Sequence, residues 1–595
     1  MFSIWKRLKY RIKKQALNYL ARRYPGYVRI PDTLVSNDVD GKMETRYQRW
    51  LKSNAPENSL SGINVAELAV KPFFSIVIPT YNSRPELFTA LIESIEAQTY
   101  TLFEVCISDD GSKDGEFKNR LKELARRKDD KYKVTFSKTN QGIASNTNRA
   151  IASVKGDFIV FVDHDDLIEP YALAFLAEYI NNKHDTDIVY SDHDLSDVQG
   201  NRYNPRLQPG YCPDMLTSHM YCPHLLAVRT RLVKTIGAFD PAMDGAQDFD
   251  FLLRAVERAR HVGHIPMILY TWRSVDGSAA FDAAEKPYAF EAGRRALENA
   301  MKRRDEDAIV LKARETGMGV FRVKRRVRDD SFSHIIEAHT SNVKSVLNGL
   351  RLLAQCPPEI IIVVDENNQA LLEDLEKETG PDVKLMTAPK GGNRSVFYNI
   401  GANAAASRHL IFSSYDVEII DSEYPLAVLE HTQRDEIGAV GVKLIYPNGT
   451  FYHTGMILGV NGVGAYAHRC MYQGPGHWSF AQCIRNYSAV SWDLMGVRKD
   501  KWELVGGFDE ELTGFQDVDF CLKLMKKEFL NLYTPYMIGV KIRRPHTLEE
   551  LRNKDAEKIL FKRHGDLIRN DPFYHPLLTR TIENFSIDFE GNHHF

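Results

Sequence analysis

The chain has 595 residues, 43% hydrophobic and 26% charged, with a formal net charge of -2, a composition that predicts a soluble globular protein of about three to five units. So small a net charge excludes a protein that grips nucleic acid over its whole surface, because that requires a basic surplus against phosphate. The seven cysteines (Cys106, Cys212, Cys222, Cys356, Cys470, Cys483 and Cys521) are scattered and without a CxxC pair, which predicts reduced core thiols, and no apolar run reaches the roughly 18 residues needed to cross a bilayer.

In chain order, the first thirty residues carry Lys6, Arg7, Lys9, Arg11, Lys13, Lys14, Arg22, Arg23 and Arg29 and no acid, interleaved with Phe2, Ile4, Trp5, Leu8 and Tyr10. Such a basic amphipathic segment suits an anionic membrane surface, and equally an acidic face of the protein itself. From residue 71 the pattern becomes regular. Strands are expected over 73–78, 103–108, 132–136 and 158–162, with helices over 85–98, 115–128 and 143–154 between them. That alternation predicts an α/β unit with a mainly parallel sheet, whose ligands sit beyond the carboxyl ends of the strands. The polar residues fall at those ends: Pro79, Thr80, Tyr81 and Asn82 after the first strand, Asp109 and Asp110 after the second, and Asp163, His164, Asp165 and Asp166 after the fourth. Clustered carboxylates ending a buried strand suit a hard divalent cation shared with a substrate's phosphates, although an acidic turn can also be a solvated one.

The pattern repeats from Ser333, through EIIIVVDENN (Glu359 to Asn368) and HLIFSSYDVEII (His409 to Ile420). The phrase IGAFDPAMDGAQDFDFLLRA in the first half returns as VGGFDEELTGFQDVDFCLKL in the second, which predicts an internal duplication. The expected division is a basic helical region 1–70, a first domain 71–280, a helical connector 281–330, a second domain 331–550 and an extension 551–595 packed on the second domain.

SIVIPTYN, SDDGS, TNRA, DHDD, YSDHD, QDFD and YTWR, in that order, resemble the motifs of bacterial tandem family 2 glycosyltransferases that build O-antigen and other surface polysaccharides. The resemblance runs from about Tyr47 to the C-terminus and implies two tandem GT-A domains, the Rossmann-like fold of nucleotide-diphospho-sugar transferases. By it, Pro79, Thr80, Tyr81, Asn82, Asp109, Asp110 and Asn148 bind the donor nucleotide. Asp163 and Asp165 form the DxD pair for Mn or Mg, with Asp165 bonded directly to the metal and Asp163 reaching the ribose or the metal through water. Asp248 is the general base of an inverting transfer, and Asp250 is structural. One departure stands out: relatives often read YHWR at the closing strand, where this chain has Tyr270, Thr271, Trp272 and Arg273. Thr271 is a poor replacement for a histidine ligand, so water, the diphosphate or His264 is left to complete a metal site, and Arg273 is expected to carry phosphate charge.

The second half is eroded: Glu337 stands where a strand-end proline is expected, Ser413, Ser414 and Tyr415 leave Asp416 alone, and Lys541 replaces the closing histidine. Asp365, Glu366 and Asp517 keep nucleotide and base positions, so this domain is expected to have reduced, metal-independent or lost activity. The implied function is transfer from a UDP- or dTDP-sugar to a lipid-linked or growing polysaccharide acceptor at the cytoplasmic membrane face, with no nucleic acid involved. A carbohydrate-binding or assembly scaffold is the alternative. A nucleotidyltransferase would need a glycine-rich phosphate loop, and SIVIPTYNSRPE has none.

Overall fold

The computed structural model describes residues 42–53, 65–127, 130–274, 287–314, 319–353, 358–474, 479–542 and 553–589, with 316, 356 and 476. The basic segment 1–30 and its expected membrane contact lie outside the described residues. Among these residues no helix is long and apolar enough to cross a membrane, and the seven cysteines are free, six of them buried.

The first body is built on nine strands: β1 (Phe74–Thr80), β2 (Phe103–Asp109), β3 (Tyr132–Phe136), β4 (Phe158–Phe161), β5 (Leu167–Ile168), β6 (Thr186–Ser196), β7 (Arg202–Arg206), β8 (Leu226–Arg229) and β9 (His261–Arg273). Their order is β3-β2-β1-β4-β8-β6-β9-β5, with β7 beside β6. The first four are parallel, as expected of near-continuous apolar runs such as FSIVIPT and FEVCISD that are covered on both faces. Beyond β4 the expectation of a mainly parallel sheet needs correction. β8 runs antiparallel to both β4 and β6, and β5 antiparallel to β9. The helix-strand alternation stops at β4, and β8 re-enters the sheet in the opposite direction. Pro85 opens the first helix of this body, Pro85–Glu96, and Asp114 caps the second, Gly115–Ala125, by accepting from the Phe117 N–H.

A helix (Pro287–Arg303) and a two-stranded hairpin, β10 (Ala308–Lys312) and β11 (Phe321–Arg325), follow, so the connector is not helical throughout. The second body adds β12 (Phe332–Ala338), β13 (Glu359–Asp365), β14 (Val383–Ala388), β15 (His409–Ser414), β16 (Val417–Ile419), β17 (Ile437–Ile445), β18 (Phe451–His453), β19 (Met456–Leu458), β20 (Gly464–Tyr466), β21 (Arg485–Tyr487), β22 (Leu494–Arg498) and β23 (Leu530–Lys541). Its order, β14-β13-β12-β15-β22-β17-β23-β16, repeats the first sheet strand for strand. The duplication extends to a side-chain contact. Asn148 exchanges two hydrogen bonds with the backbone of Phe239 (2.8 and 2.9 Å), and Asn399 does the same with Phe508 (2.8 and 3.0 Å).

One apolar core runs without interruption from Tyr190, Leu207 and Cys212 of the first body to Ile457, Tyr487 and Tyr533 of the second. The C-terminal residues bridge the two bodies and do not rest on the second alone. The helix Lys554–Arg569 buries Ala556, Leu560 and Ile568 in the second body, and then His575 meets Asp192 of the first at 2.6 Å. The helix Lys42–Ser53 closes over this strap, with Trp50 donating to the Asp588 carbonyl and Tyr47 to Asp194.

Candidate active site

Three strand ends and one helix start meet at the carboxyl edge of the first sheet. After β4 the chain turns through Asp163 to Asp166. The Tyr270 hydroxyl of β9 donates to Asp166 Oδ2 (2.6 Å) and accepts from the Asp163 N–H (3.3 Å), and the Arg273 N–H donates to Asp166 Oδ1 (2.8 Å). The Arg273 guanidinium binds the carbonyls of Leu87, Asp165 and Asp166, which commits it to holding the acidic turn and not to facing a diphosphate. Asp163 remains open, with its side chain 46% exposed.

The residue missed in the sequence is His224. It ends the loop 207–224, immediately before β8, and its ring stacks on Tyr270 with centroids 4.5 Å apart and meets Trp272 edge-on at 5.5 Å. Its Nε2 lies 3.9 Å from Asp163 Oδ2. Asp163, Asp166 and His224 bring their ligand atoms within 4.8 Å of one another. Burial lowers the His224 imidazole to about 4, against the pull of Asp248 and Asp165, so it is neutral near pH 7, the form that ligates a metal. Loss of solvent in the cleft, followed by the Asp165 charge, pushes Asp163 up to about 6, and burial with its acidic neighbours raises Asp166. Two crowded carboxylates and a neutral imidazole are a donor set that fits a divalent cation. Asp165 stands alongside, its Oδ1 3.9 Å from His164 Nδ1.

Thr271 does not take the place of the absent histidine: it is buried and donates to Asp194 Oδ1 (2.9 Å). His264 is also elsewhere, bound to Asp192 at 2.9 Å. The antiparallel pairing of β8 with β4, Leu226 opposite Phe161, is what sets His224 beside the end of β4, and no phrase of the sequence shows that pairing.

Asp248 is the second residue of the helix Gln247–Val256, on the exposed side of its first turn, where it accepts from the Phe249 N–H (2.8 Å). Although it opens to the cleft, the surrounding walls raise its carboxyl, partly offset by that N–H. Asp250 is buried and paired with Arg254 (2.8 Å). On the nucleotide side, Asp110 accepts from the N–H groups of Gln141 and Gly142 (2.8 and 3.0 Å) and faces Arg149 at 3.4 Å. Gly142 has φ +90°, and a Cβ there would meet Asp244 Oδ2 at 2.3 Å, so this turn requires glycine. Asp109 is fully buried and holds Ser112 and Thr80. Tyr81 and Asn82 are exposed, and Asn82 accepts from the Lys113 N–H (3.0 Å). Asn148 is taken up by Phe239, and Asn146 on the same helix is buried and donates to the Thr80 carbonyl (3.1 Å), while Arg149 donates to the Ser108 hydroxyl (3.1 Å).

The matching edge of the second body is filled by its own charges. Lys541 donates to Asp416 (2.7 Å) and Asp493 (3.1 Å), Arg394 binds Asp493 (2.8 Å) and Glu337 (2.9 Å), and Tyr452 donates to Asp493 (2.8 Å). Asp416, Asp493, Glu337 and Lys541 are all buried. Burial opposes ionisation of Asp493, yet Lys541 and Arg394 hold its carboxyl well below the usual range. Asp517 is closed in, 5% exposed, and pushed up to about 7 by burial and the Asp493 charge. Asp365 and Glu366 accept from the backbone of Gly391 and Lys390 (both 3.1 Å).

The acidic turn lies beyond the carboxyl end of β4, where parallel pairing with β1 gives way to antiparallel pairing with β8, the place where open α/β sheets bind ligands. Residues 75–237 match the model of glycosyl transferase family 2. The chain is 32% identical over 484 residues to an uncharacterized protein of Sinorhizobium fredii, covering 79% of this chain and 53% of that one. It is 28% identical over 488 residues to the O-antigen biosynthesis protein RfbC of Myxococcus xanthus, covering 80% and 38%. It thus spans about half or less of the length of these relatives. The Staphylococcus aureus TarS 1-349 structure overlaps 38% of this chain and 65% of its own, at 24% identity and a TM-score of 0.31. Residues 75–237 thus carry a family 2 glycosyl transferase domain.

Proposed function

We propose that the first body, residues 71–280, transfers a sugar with inversion from a UDP- or dTDP-sugar to a hydroxyl of a lipid-linked or growing surface polysaccharide. The observation that carries this reading is the grouping of the open Asp163 with the buried Asp166 and the half-buried His224, near the exposed Asp248. Asp163, Asp166 and His224, with Asp165 beside them, would hold a divalent cation, Mn or Mg. When bound, that ion supplies positive charge for the departing diphosphate. Asp110, Thr80 and the exposed Tyr81 and Asn82 face the nucleotide. Asp248 takes the proton of the acceptor hydroxyl as its oxygen bonds to the anomeric carbon and the bond to the β-phosphate breaks. The O-antigen relative supports the acceptor class, and the basic residues 1–30 would bring the cleft to a lipid-anchored acceptor.

A different reading applies to the second body, residues 331–550. Lys541 and Arg394 already neutralise the carboxylates that a cation would need, so that body serves as a noncatalytic scaffold. Titration of the whole chain with UDP and dTDP, with and without Mn²⁺, tests the proposal. Mn²⁺-enhanced binding that is lost in Asp163→Ala is expected, and binding indifferent to Mn²⁺ would remove the cation from the mechanism.

A further inference from the structure

The loop 207–224, which delivers His224, is fastened by the first body near its start and by the rest of the chain at its centre. The Tyr190 hydroxyl donates to the Pro209 carbonyl (2.7 Å), and the Gln208 N–H donates to Asp192 (2.8 Å). Then the Gly210 N–H donates to the Pro572 carbonyl (2.8 Å), so close that a Cβ on Gly210 would meet that oxygen at 2.6 Å. Asn486 of β21, wholly buried, accepts from the Asp214 N–H (3.1 Å) and donates to Asp214 Oδ2 (2.8 Å). Arg434 donates to Asp214 Oδ1 (2.6 Å), the Ser218 hydroxyl to the Ile484 carbonyl (3.0 Å), and the Phe321 N–H to the Ser218 carbonyl (2.7 Å).

The C-terminal strap adds a further fastening. His575 Nδ1 accepts from the Leu577 N–H (3.0 Å), so the ring proton is on Nε2 and is donated to Asp192. That tautomer makes the buried group Asp192, His264 and His575 a hydrogen-bonded latch and not a second metal site. A buried carboxylate matched to an amide and a guanidinium is a costly way to glue two surfaces that apolar contacts would join as well. What such a network supplies is a single register.

We propose that the second body is a positioning device for the first: Asn486 and Arg434, through Asp214, fix the course of the loop 207–224 and hence the place of His224 beside Asp163. Asn486 and Arg434 are positioning residues and touch neither donor nor acceptor. The inference rests on the reading of Asp163 and His224 as cation-holding residues. It explains why a body whose own cleft is filled remains joined to the first through a continuous core.

The test is UDP binding by the full chain with and without Mn²⁺, for the wild type, His224→Ala, Asn486→Leu and Arg434→Met, with thermal unfolding recorded for each. Asn486→Leu and Arg434→Met are expected to bind UDP alone within about twofold of wild type while losing about tenfold of the Mn²⁺ enhancement, within the range by which residues that touch neither ligand modulate a site. Should Asn486→Leu not fold, Ser218→Ala deletes one loop hydrogen bond and is expected to cost about threefold of the enhancement. Folded variants that keep the wild-type enhancement, in a protein where His224→Ala abolishes it, overturn the positioning role alone. A wild type that does not respond to Mn²⁺ overturns the cation reading and this inference together.

Discussion

The two bodies repeat one sheet order and one asparagine-phenylalanine clasp, and they part at the edge where each central strand ends. In the first, Asp163 and Asp248 are open to the cleft and the arginine close by, Arg273, has turned its guanidinium to backbone carbonyls. In the second, Asp416 and Asp493 are buried under Lys541 and Arg394. The electrostatic problem of clustered carboxylates is the same in both. On the proposed reading one body leaves it for a bound cation, while the other solves it internally with Lys541 and Arg394, so that the same architecture carries an ion-pair core in place of a ligand site.

The comparison breaks most decisively at the base. Asp248→Asn is expected to lower transfer by about a thousandfold while UDP binding stays within about twofold, and Asp517→Asn is expected to leave transfer unchanged. Parallel steady-state and binding assays check both, and an active Asp248→Asn would move the base elsewhere. Next in size is a stability effect. Lys541→Met leaves buried Asp416 without its counter-charge and Asp493 with Arg394 alone, and should cost about 3–5 kcal/mol in denaturant unfolding, with much of the loss recovered when Asp416→Asn is added. A neutral Lys541→Met would mean that water already reaches those carboxylates.

The pH response sharpens the same contrast. Asp517 titrates higher in the fold, at about 7, than in an unfolded chain, so its favourable contribution is complete below the ordinary carboxyl range and disappears as the pH rises through about 7. Asp493 is shifted down, so its contribution is present above the ordinary range and disappears on acidification. Asp517→Asn should therefore flatten the fall in thermal stability between about pH 4 and 7 without changing the acid limb, which melting curves across pH would show. The smallest expected effect is that of Thr271→Ser. Its hydroxyl serves Asp194, so Mn²⁺-dependent UDP binding should change less than about twofold, and a larger change would return this residue to the site.

Much of the first sheet was legible because β1 to β4 alternate with helices and carry long buried apolar runs. The mixed second part was not, since β6 is buried along its whole length despite the polar letters in YSDHD: Asp192 and Asp194 are matched by Arg202 on the neighbouring β7 and by His264, Thr271 and His575, partners far away in the chain. The acidic turn and Asp248 could be found from short phrases. His224 could not be read from any phrase, because its place depends on an irregular loop. Asn148 and Arg273 were misread because a polar residue near a cleft says nothing about which way it turns, and both turn to backbone.

One body of the two is proposed to hold a cation and a nucleotide. The most direct test of this is the stoichiometry of Mn²⁺-dependent UDP binding by the whole chain, measured by equilibrium titration. The account predicts one equivalent per chain, lost in Asp163→Ala and His224→Ala and kept in Asp416→Ala. Two equivalents, or a single one that survives Asp163→Ala and vanishes with Asp416→Ala, would contradict it.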